Sequence, residues 1–561
     1  MTSSAIRRSL VWGGGAAFAL LALPAHAAVY EVGPGKPYAT PAEVVEQLAP
    51  GDLVLIQGGA TYPGGIVFTR PGAADRKIII RGVPVDGKLP VIRGGRNTIE
   101  AAANHYVFEN LELTEGGYRC FFHHAHDITL RSSVVHDCPA HGLLGADEGS
   151  GTLLLEYTEF YHCGNGDQHH TVYMATDETR YPGSVFRMQH CYIHDARGGH
   201  SVKSRAERNE IYFNWIEGGQ YHELELIGPD GQRADLARED SDVVGNVLRK
   251  TNDSYSVRIG GDGTGDSGGR YRFVNNTFLL QDAARPVLRL FDRVQTLEVH
   301  NNLFYRAGGK PVQALQTERV SWTEGRPILI GLNNWLPSGS QFPEEWFGTL
   351  EGNDPKLMDV SGLTKAGGAF DLRPRKDSPL VDAGALQIAG PHGFELPNPL
   401  TALSSSPPPR RGGVSFLRET DGKVDLGAYE GGFPMRAMRP LPERLVGSDA
   451  ADPMAPDPMA PDPGAAPPGS LGPVGSERSA GRCGCRTPGA PANASALQLP
   501  ALGLLLGLFW LRQASPRKRQ ARKRHARKCQ ARKCHARKRQ SQERSRRREK
   551  RGGARSAPGS L

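Results

Sequence analysis

The sequence has few of the residues that build a large compact core. Hydrophobic side chains make up 38% of its 561 residues and aromatic ones only 7%, which argues against a large helical core. Amphipathic helical segments of about 10 residues or more do not recur between its apolar stretches, so a βαβ fold is excluded. Glycine and proline, with 69 and 42 copies, supply about a fifth of the chain. That composition favours a repeat architecture over the three or so ordinary domains that the length would otherwise suit.

The net charge of +9 comes from one end of the chain. Residues 512–561 contain 21 Lys and Arg against two Glu, which leaves 47 basic and 57 acidic residues in the rest. The body is therefore acidic, and we expect no nucleic-acid partner for the folded part.

The first 27 residues have the pattern of a secretory signal peptide. Arg7 and Arg8 form a charged start, Leu10–Leu23 is apolar, and Ala25-His26-Ala27 is a small-x-small cleavage site. We therefore expect the mature protein to be exported.

The C-terminal part divides into three segments. Residues 433–480 form a linker rich in Pro, Ala and Gly, residues 481–515 combine Cys483-Gly484-Cys485 with the apolar run 496–511, and residues 516–561 form a basic disordered tail. The order of Cys-Gly-Cys, apolar helix and basic cluster resembles the MYXO-CTERM class of sorting segments. The resemblance implies recognition by a surface-sorting machinery, membrane contact through residues 496–511, and a location at the outer surface or membrane, with release after processing as an option.

A repeated pattern occupies the middle of the chain. Alternating apolar residues are followed by a polar residue and then an apolar pair, at intervals of 22 to 32 residues. The polar positions are Asn110, Ser132, Thr158, His190, Asn214, Asn246, Asn276, Asn302 and Asn334. Short strands at this interval predict an all-β, single-stranded, right-handed parallel β-helix of about 9–11 coils over residues 28–345, with a closing region at 346–432. We expect a monomer.

Both ends of this region resemble secreted β-helix proteins of the pectate lyase-like superfamily. Tyr30–Tyr38, a short helix near Pro41–Leu48 and the apolar stretch after it resemble their opening, in which a small helix caps the stack. Leu380–Gly384 and Asp425–Glu430 resemble their closing segment. The resemblance implies that these motifs are caps.

Histidine is concentrated in the first coils, where 13 of 18 lie between His105 and His222. Aligning the coils on the polar position places His136, His162 and His194 at one offset, so we expect them to form a file on one surface. Together with His222 and Glu225 they are the candidate substrate-binding residues. A groove whose side chains repeat in every coil suits an extended polymer, and we expect a polysaccharide. The alternative is that these stacked imidazoles only pack against and bond to their neighbours.

The segment from His200 to Arg205 carries the candidate chemistry. In a strand, Lys203 and Arg205 point to the face opposite Val202, and they project together toward solvent or a groove. This segment follows His169–Tyr173 by about 30 residues.

The Ser-Val-Lys-Ser core at Ser201–Ser204 is similar to the Lys-Ser motif of the family six polysaccharide lyases, the alginate lyase and chondroitinase B group. In that family a Lys is the base, an Arg assists, and calcium held by Asn and Glu binds the uronate carboxylate. The resemblance implies that Lys203 is the base. Residues 196–199 contain no carboxylate, so the acidic calcium ligands of the family are missing; we assign no metal ligands and leave calcium binding open.

These residues suggest β-elimination on an anionic, uronate-containing polysaccharide. That reaction needs a cation against the carboxylate, a base and an acid. We assign Arg205 to the first role and Lys203 to the second, with His170, Tyr173 or His200 as the acid.

Three alternatives stay open. The chain could be a non-catalytic carbohydrate-binding or adhesive β-helix, or a glycoside hydrolase that uses Glu223 and Glu225. His169, His170, His200 and Glu225 could instead hold zinc or another transition metal. A disulfide between Cys138 and Cys163 of adjacent coils is feasible in an exported protein.

Overall fold

The computed structural model describes residues 27–438, apart from 229–238, 262–266, 282–284, 292, 318–326, 365–367, 369 and 411. The signal peptide up to residue 26, the sorting segment and the basic tail lie outside the described residues, as does most of the linker. In the part of the chain that is described, no helix is both long and apolar enough to cross a membrane.

Three long parallel sheets form a right-handed parallel β-helix, as the repeat predicted. Each coil adds one strand to each sheet in the order sheet 1, sheet 2, sheet 3, and ten coils of the described chain have all three strands.

The strands of sheet 1 are Val29–Val32, Leu53–Gln57, Ile78–Val83, Tyr106–Glu109, Ile128–Arg131, Leu153–Glu156, Val185–Gln189, Arg208–Tyr212, Asp240–Val244, Arg270–Val274, Thr296–His300, Ile328–Leu332 and Trp346–Phe347. Those of sheet 2 are Thr61–Pro63, Val91–Arg93, Glu112–Thr114, Val134–His136, Glu159–Tyr161, Tyr192–His194, Trp215–Glu217, Val247–Lys250, Thr277–Leu280, Leu303–Arg306, Trp335–Pro337 and Leu350–Gly352. Sheet 3 contains Ile66–Phe68, Asn97–Ala101, Arg119–His123, His141–Gly145, Val172–Ala175, Val202–Arg205, Leu224–Leu226, Val257–Ile259, Leu288–Leu290 and Leu315–Thr317.

Apolar residues at every second strand position fill the interior of the stack. In sheet 1 the parallel register places Val54, Ile80, Phe108, Leu130 and Leu155 one above another, and all five are fully buried. The alternate residues face outward, where they are free to be polar.

The predicted N-terminal cap consists of two 3₁₀ turns, Pro41–Glu43 and Val45–Gln47. Val44, Val45 and Leu48 are buried in the main core, so this segment does cover the interior at the first coil. A third 3₁₀ turn is Ala307–Gly309.

The closing region lies along the sides of the stack as well as following its last strands. Leu380, Leu426 and Ala428 pack with Trp215 and Trp335, whose side chains leave sheet 2 on its outer face. A second cluster, Ile388, Leu400 and Leu403, packs with Tyr212, Phe213, Val244 and Val274 beside sheet 1. The closing motifs Leu380–Gly384 and Asp425–Glu430, expected to be caps, therefore cover apolar side chains on the outer face of the stack. The alternation that identifies inward-facing residues does not predict such outward-facing apolar side chains.

Short antiparallel pairs complete this region. Leu357–Asp359 pairs with Asp371–Pro374, and Ser415–Leu417 pairs with both Ser405–Ser406 and Arg436–Met438. Because the last of these strands is held by ladder hydrogen bonds, the fold continues past residue 433, where the sequence predicted the linker to begin.

Cys120 and Cys138 form a disulfide with their Cα atoms 5.9 Å apart. Cys163 lies one coil above Cys138 but remains a buried free thiol, as does Cys191. The pairing considered from the sequence is therefore not the one formed, because Cys138 is already bonded to Cys120.

The turn from sheet 1 to sheet 2 contains two adjacent polar files. The inner file is Asn214, Asn246, Asn276, Asn302 and Asn334, in which each Nδ2 donates to the Oδ1 of the next at 3.0–3.1 Å. Asn110, Ser132 and His190 precede this file by one position and have a positive φ of 50–55°. The repeated pattern in the sequence places residues of both files at one polar position, because both turn positions accept polar residues.

In the last coils both turn positions are asparagines, which form the consecutive pairs Asn275-Asn276, Asn301-Asn302 and Asn333-Asn334. The Nδ2 atoms of Asn275, Asn301 and Asn333 point away from the stack and donate to the carbonyls of Asp425, Ala385 and Ala383 at 2.8–2.9 Å. The first Asn of each pair thus anchors the closing region, and the second joins neighbouring coils.

Replacing Asn276 with Ala should lower the free energy of unfolding by about 3 kcal/mol, because it leaves buried donors and acceptors on both neighbouring coils without partners. Denaturant unfolding measures this change. The exposed Asn353→Ala is the matched control, expected to change stability by no more than about 0.5 kcal/mol. Equal effects of the two substitutions would contradict a stabilising role for the ladder.

His190 occupies the outer file between Tyr157 and Phe213 of the adjacent coils, with ring centroids 4.8 and 5.5 Å away. Burial lowers its pKa to about 4. The unfolded chain therefore binds a proton at this residue at a higher pH than the folded chain does. The stabilisation that follows is complete above about pH 6.5 and is lost as the pH falls toward 4.

The substitution His190→Phe should remove about 3 kcal/mol of this pH dependence while keeping the aromatic stack. Phe213 already adopts the same positive φ, so the backbone accommodates this ring. The difference in unfolding free energy between wild type and variant, followed from pH 7.5 to 4, isolates this group from the other histidines. A constant difference over that range would show that His190 does not titrate as proposed.

Candidate functional site

One file of side chains runs along the outer face of sheet 3. It consists of Glu100, Phe122, Leu144, Tyr173, Lys203, Glu225, Arg258, Arg289 and Gln316, aligned in successive coils. Val202 and Ser204 on either side of Lys203 are fully buried, while Lys203 itself is partly exposed. The predicted outward direction of Lys203 is therefore confirmed. Equivalent atoms of successive coils are about 4.8 Å apart, so neighbours in the file are within contact distance.

Glu225 is the electrostatic centre of this file. Its Oε2 lies 2.9 Å from Nε2 of His200 and 3.3 Å from Nζ of Lys203, and its Oε1 accepts from Nη1 of Arg258 at 2.9 Å. Burial alone would raise the pKa of Glu225, yet these three neighbours hold it well below its ordinary value. The carboxylate is therefore ionised, and it fixes the positions of the groups around it.

Four histidines form a second ladder three residues before the file, at His141, His170, His200 and His222. The backbone N–H of each later histidine donates to Nδ1 of the one before it, at 3.1, 3.1 and 3.2 Å. An Nδ1 that accepts carries no proton, so His141, His170 and His200 present Nε2–H. Burial lowers the pKa of His141 to about 3 and moves those of His170 and His222 in the same direction. His141, His170 and His222 are thus neutral at neutral pH.

Tyr173 and Arg205 form a bonded pair next to Lys203. The Nε of Arg205 donates to Oη of Tyr173 at 3.0 Å, and its Nη1 donates to the carbonyl of Gly228 at 2.7 Å. Only 3% of Arg205 is exposed, so the structure holds it beneath the surface, where it supports Tyr173. The expected contact of Arg205 with a substrate carboxylate does not fit this burial.

The five residues predicted to be catalytic lie together. The Nζ of Lys203 is 5.3 Å from the ring centroid of Tyr173, and the His170 ring is 5.3 Å from Tyr173 and 4.7 Å from His200. Arg205 joins them through the hydroxyl of Tyr173. His222 and Glu225, predicted to bind substrate, belong to the same cluster.

The other predicted binding residues lie on sheet 2. Tyr161, and not His162, occupies the position between His136 and His194, with ring centroids 4.9 and 5.2 Å from theirs. His136 bonds to Glu112 and Asp137, and His194 bonds to Glu159 and Asp195, at 2.8–3.1 Å. His162 lies 3.5 Å from Asp137. These imidazoles bond to their own neighbours, as the alternative interpretation of the file proposed.

A carboxylate pair for glycoside hydrolysis is not formed by Glu223 and Glu225. Glu223 is fully buried and bonds to Nζ of Lys250 at 3.1 Å, the hydroxyl of Ser201 at 2.7 Å and the N–H of Gly219 at 2.9 Å. It is therefore part of the support beneath sheet 3.

His200, His222 and Glu225 could in principle hold a metal, because one ligand atom of each lies within 4.8 Å of the other two. The donor set argues against this. Nδ1 of His200 accepts from the backbone, so its Nε2 carries the proton, and Lys203 and Arg258 already balance the charge of Glu225. Calcium, which prefers several oxygen ligands, would find one carboxylate here.

Two functional candidates escaped the sequence interpretation, namely Arg258 and Arg119. Arg258 has the same offset as Lys203 and Glu225, two coils beyond Lys203, so coil alignment on sheet 3 would have found it. Arg119 begins a strand of the same sheet in the third coil before Lys203.

No protein-family model matches the chain, and no curated protein sequence is significantly similar to it. Among solved structures, pectate lyase Pel9A has a TM-score of 0.46 at 12% identity, covering 72% of this chain and 96% of its own. An alginate lyase from Paenibacillus sp. str. FPU-7 has a TM-score of 0.37 at 16% identity, covering 52% and 98%. The PL6 family polysaccharide lyase Pedsa3628 from Pseudopedobacter saltans has 0.33 at 12%, covering 55% and 89%. At these identities the likeness extends to the fold alone.

Removing the charge of Glu225 should destabilise the site, because Lys203 and Arg258 would keep their charges without a counter-ion. We expect Glu225→Gln to lower the free energy of unfolding by about 3 kcal/mol. The control is Glu115→Gln, which removes an exposed ion pair with Arg93 and should cost less than about 1 kcal/mol. Similar unfolding midpoints for both variants would argue against Glu225 as the centre of the cluster.

Proposed function

We propose that the protein is a polysaccharide lyase that cleaves an anionic, uronate-containing polymer by β-elimination. The observation that carries this proposal is the file of Tyr173, Lys203, Glu225 and Arg258 on consecutive coils, with Arg205 bonded to Tyr173. It supplies the positive charge, the base and the acid that the reaction needs, on one outward face. Export by the signal peptide and attachment through the sorting segment belong to the same proposal.

Arg258 is the cation best placed for the substrate carboxylate. Its side chain is half-buried, lies 3.9 Å from the Phe291 ring centroid, and spends only part of its five-donor capacity on Glu225 and Gly261. A guanidinium suits a carboxylate because two parallel N–H groups can bind both oxygens. Neutralising the carboxylate makes the proton on the adjacent carbon easier to remove.

The contacts favour Tyr173 as the base and Lys203 as the acid, which reverses the roles assigned from the sequence. Arg205 donates to Oη of Tyr173 and so stabilises a phenolate, whereas Lys203 is ion-paired with Glu225 and is assigned the role of proton donor. The phenolate takes the proton beside the carboxylate, and the C–H electrons form the ring double bond. The bond to the leaving oxygen breaks as Lys203 protonates that oxygen.

Both Tyr173→Phe and Lys203→Ala should lower kcat on alginate, pectate or a glycosaminoglycan by about 10²- to 10⁴-fold. The absorbance of unsaturated uronates reports turnover. A uronate that carries nitrophenolate on C4, where the leaving oxygen departs, needs no acid, so it should restore activity to Lys203→Ala but not to Tyr173→Phe. Lys356→Ala, an exposed lysine paired with Asp377, is the control.

Full activity of either variant on the polymer would remove that residue from the mechanism. Rescue of Tyr173→Phe instead of Lys203→Ala would support the roles predicted from the sequence, with Lys203 as the base and Tyr173 as the acid. Binding of polymer without any product would replace the lyase with the carbohydrate-binding or adhesive alternative.

A further inference from the structure

Arg119 is held between two aromatic rings on sheet 3, away from the Lys203 cluster. Its guanidinium carbon lies 4.3 Å from the ring centroid of Tyr118 and 3.9 Å from that of Phe122. Phe122 in turn stacks on His124 at 5.2 Å. Rings on the faces of a guanidinium leave its N–H groups directed along its plane, where a planar anion can bind them.

The charge of Arg119 has no counter-ion among the described residues. Its Nη1 donates to Oδ1 of Asn97 at 3.2 Å, and its buried Nε has no hydrogen-bond partner in the described chain. The nearby carboxylate of Glu100 accepts instead from Nδ2 of Asn97 at 2.8 Å. By contrast, Arg131 and Arg187 on sheet 1 both have carboxylate partners. The buried Nε is out of reach of an external anion, but the Nη2 group makes no hydrogen bond to the described residues and is not buried, so this partly exposed cation is well suited to bind one.

The surroundings add donors and positive charge. The Arg96 guanidinium lies 5.9 Å from the Tyr118 ring centroid, and the His169 ring lies 5.7 Å from it. His169 also contacts His141 at 4.9 Å, which connects this region to the histidine ladder.

The register places Arg119 in line with that ladder. Arg119 aligns with His141, which is followed one coil at a time by His170 and His200, so it lies three coils from the reacting residues. At about 4.8 Å per coil, the separation along the stack is roughly 14 Å, several sugar units of an extended polymer. The imidazoles of His141 and His170, which lie between, are buried, so the surface over this interval is formed by the outward-facing side chains of sheet 3.

We propose that Arg119 binds the carboxylate of a second uronate, several sugars away from the bond that is cleaved. The inference rests on the proposed function for the identity of the polymer. It further implies that the polymer lies along the axis of the stack and that longer chains are bound more tightly than short ones.

The test uses oligouronates of increasing length with the full protein. Arg119→Gln, which keeps a donor for Asn97, should weaken the affinity for long oligomers about tenfold and leave a trisaccharide unaffected, since one charged hydrogen-bonded contact is lost. KM should rise with kcat unchanged, and the salt dependence of binding should become shallower. Arg119→Lys, which keeps the charge but loses the fork of donors, should fall between wild type and Arg119→Gln.

Arg93→Ala is the matched control, because Arg93 lies on sheet 2 of the preceding coil and is already paired with Glu115. An equal loss of affinity in this control would overturn the subsite alone. So would an affinity of Arg119→Gln that depends on oligomer length as in the wild type, provided that the wild type cleaves polymer. If the wild type binds long oligomers through Arg119 without cleaving them, the subsite stands and the lyase mechanism fails. If the wild type binds no oligouronate of any length, both proposals fail.

Discussion

The register between successive coils is the constraint on which the structure depends. Every strand of the three sheets pairs with the equivalent strand one coil away, and a slip of one residue would turn the interior apolar residues outward. The asparagine ladder at the turn from sheet 1 to sheet 2 opposes such a slip, because Asn246 and Asn276 bond both to each other's side chains and to the backbone. Hydrogen bonding at one turn therefore helps to maintain the register of the coils from Asn214 to Asn334.

The candidate site is a consequence of that alignment. Lys203, Glu225 and Arg258 are separated by more than 20 residues along the chain, yet their side chains meet because each occupies the same position in its coil. A carboxylate that is 1% exposed would be costly alone, but the cations around Glu225 offset the loss of solvation. The histidine ladder joins successive coils in the same way as the asparagine ladder. In each, a side-chain atom, here the imidazole Nδ1, accepts a hydrogen bond from the backbone N–H of an adjacent coil.

The same alignment explains which residues were placed correctly from the sequence and which were not. Alternation within one strand is local, so the outward direction of Lys203 followed from its neighbours Val202 and Ser204. Alignment between coils depends on loops of unequal length and on a turn with two polar positions. Taking Ser132 and Thr158 as equivalent shifted His162 by one residue, and the structure puts Tyr161 in that place. Arg205 was also assigned an exposed role, although Tyr173 and Gly228 hold it below the surface.

By itself, the sequence determined the repeat, the parallel β-helix and the strand that carries Lys203, because period and alternation are properties of neighbouring residues. Only the tertiary structure decided that Glu225 pairs with both Lys203 and Arg258, that Arg119 lacks a counter-ion among the described residues, and that the closing region covers the sides of the stack. Those outcomes depend on which side chains from different coils share a face. Because the loops between the strands differ in length, the spacing of residues along the sequence does not show which of them align.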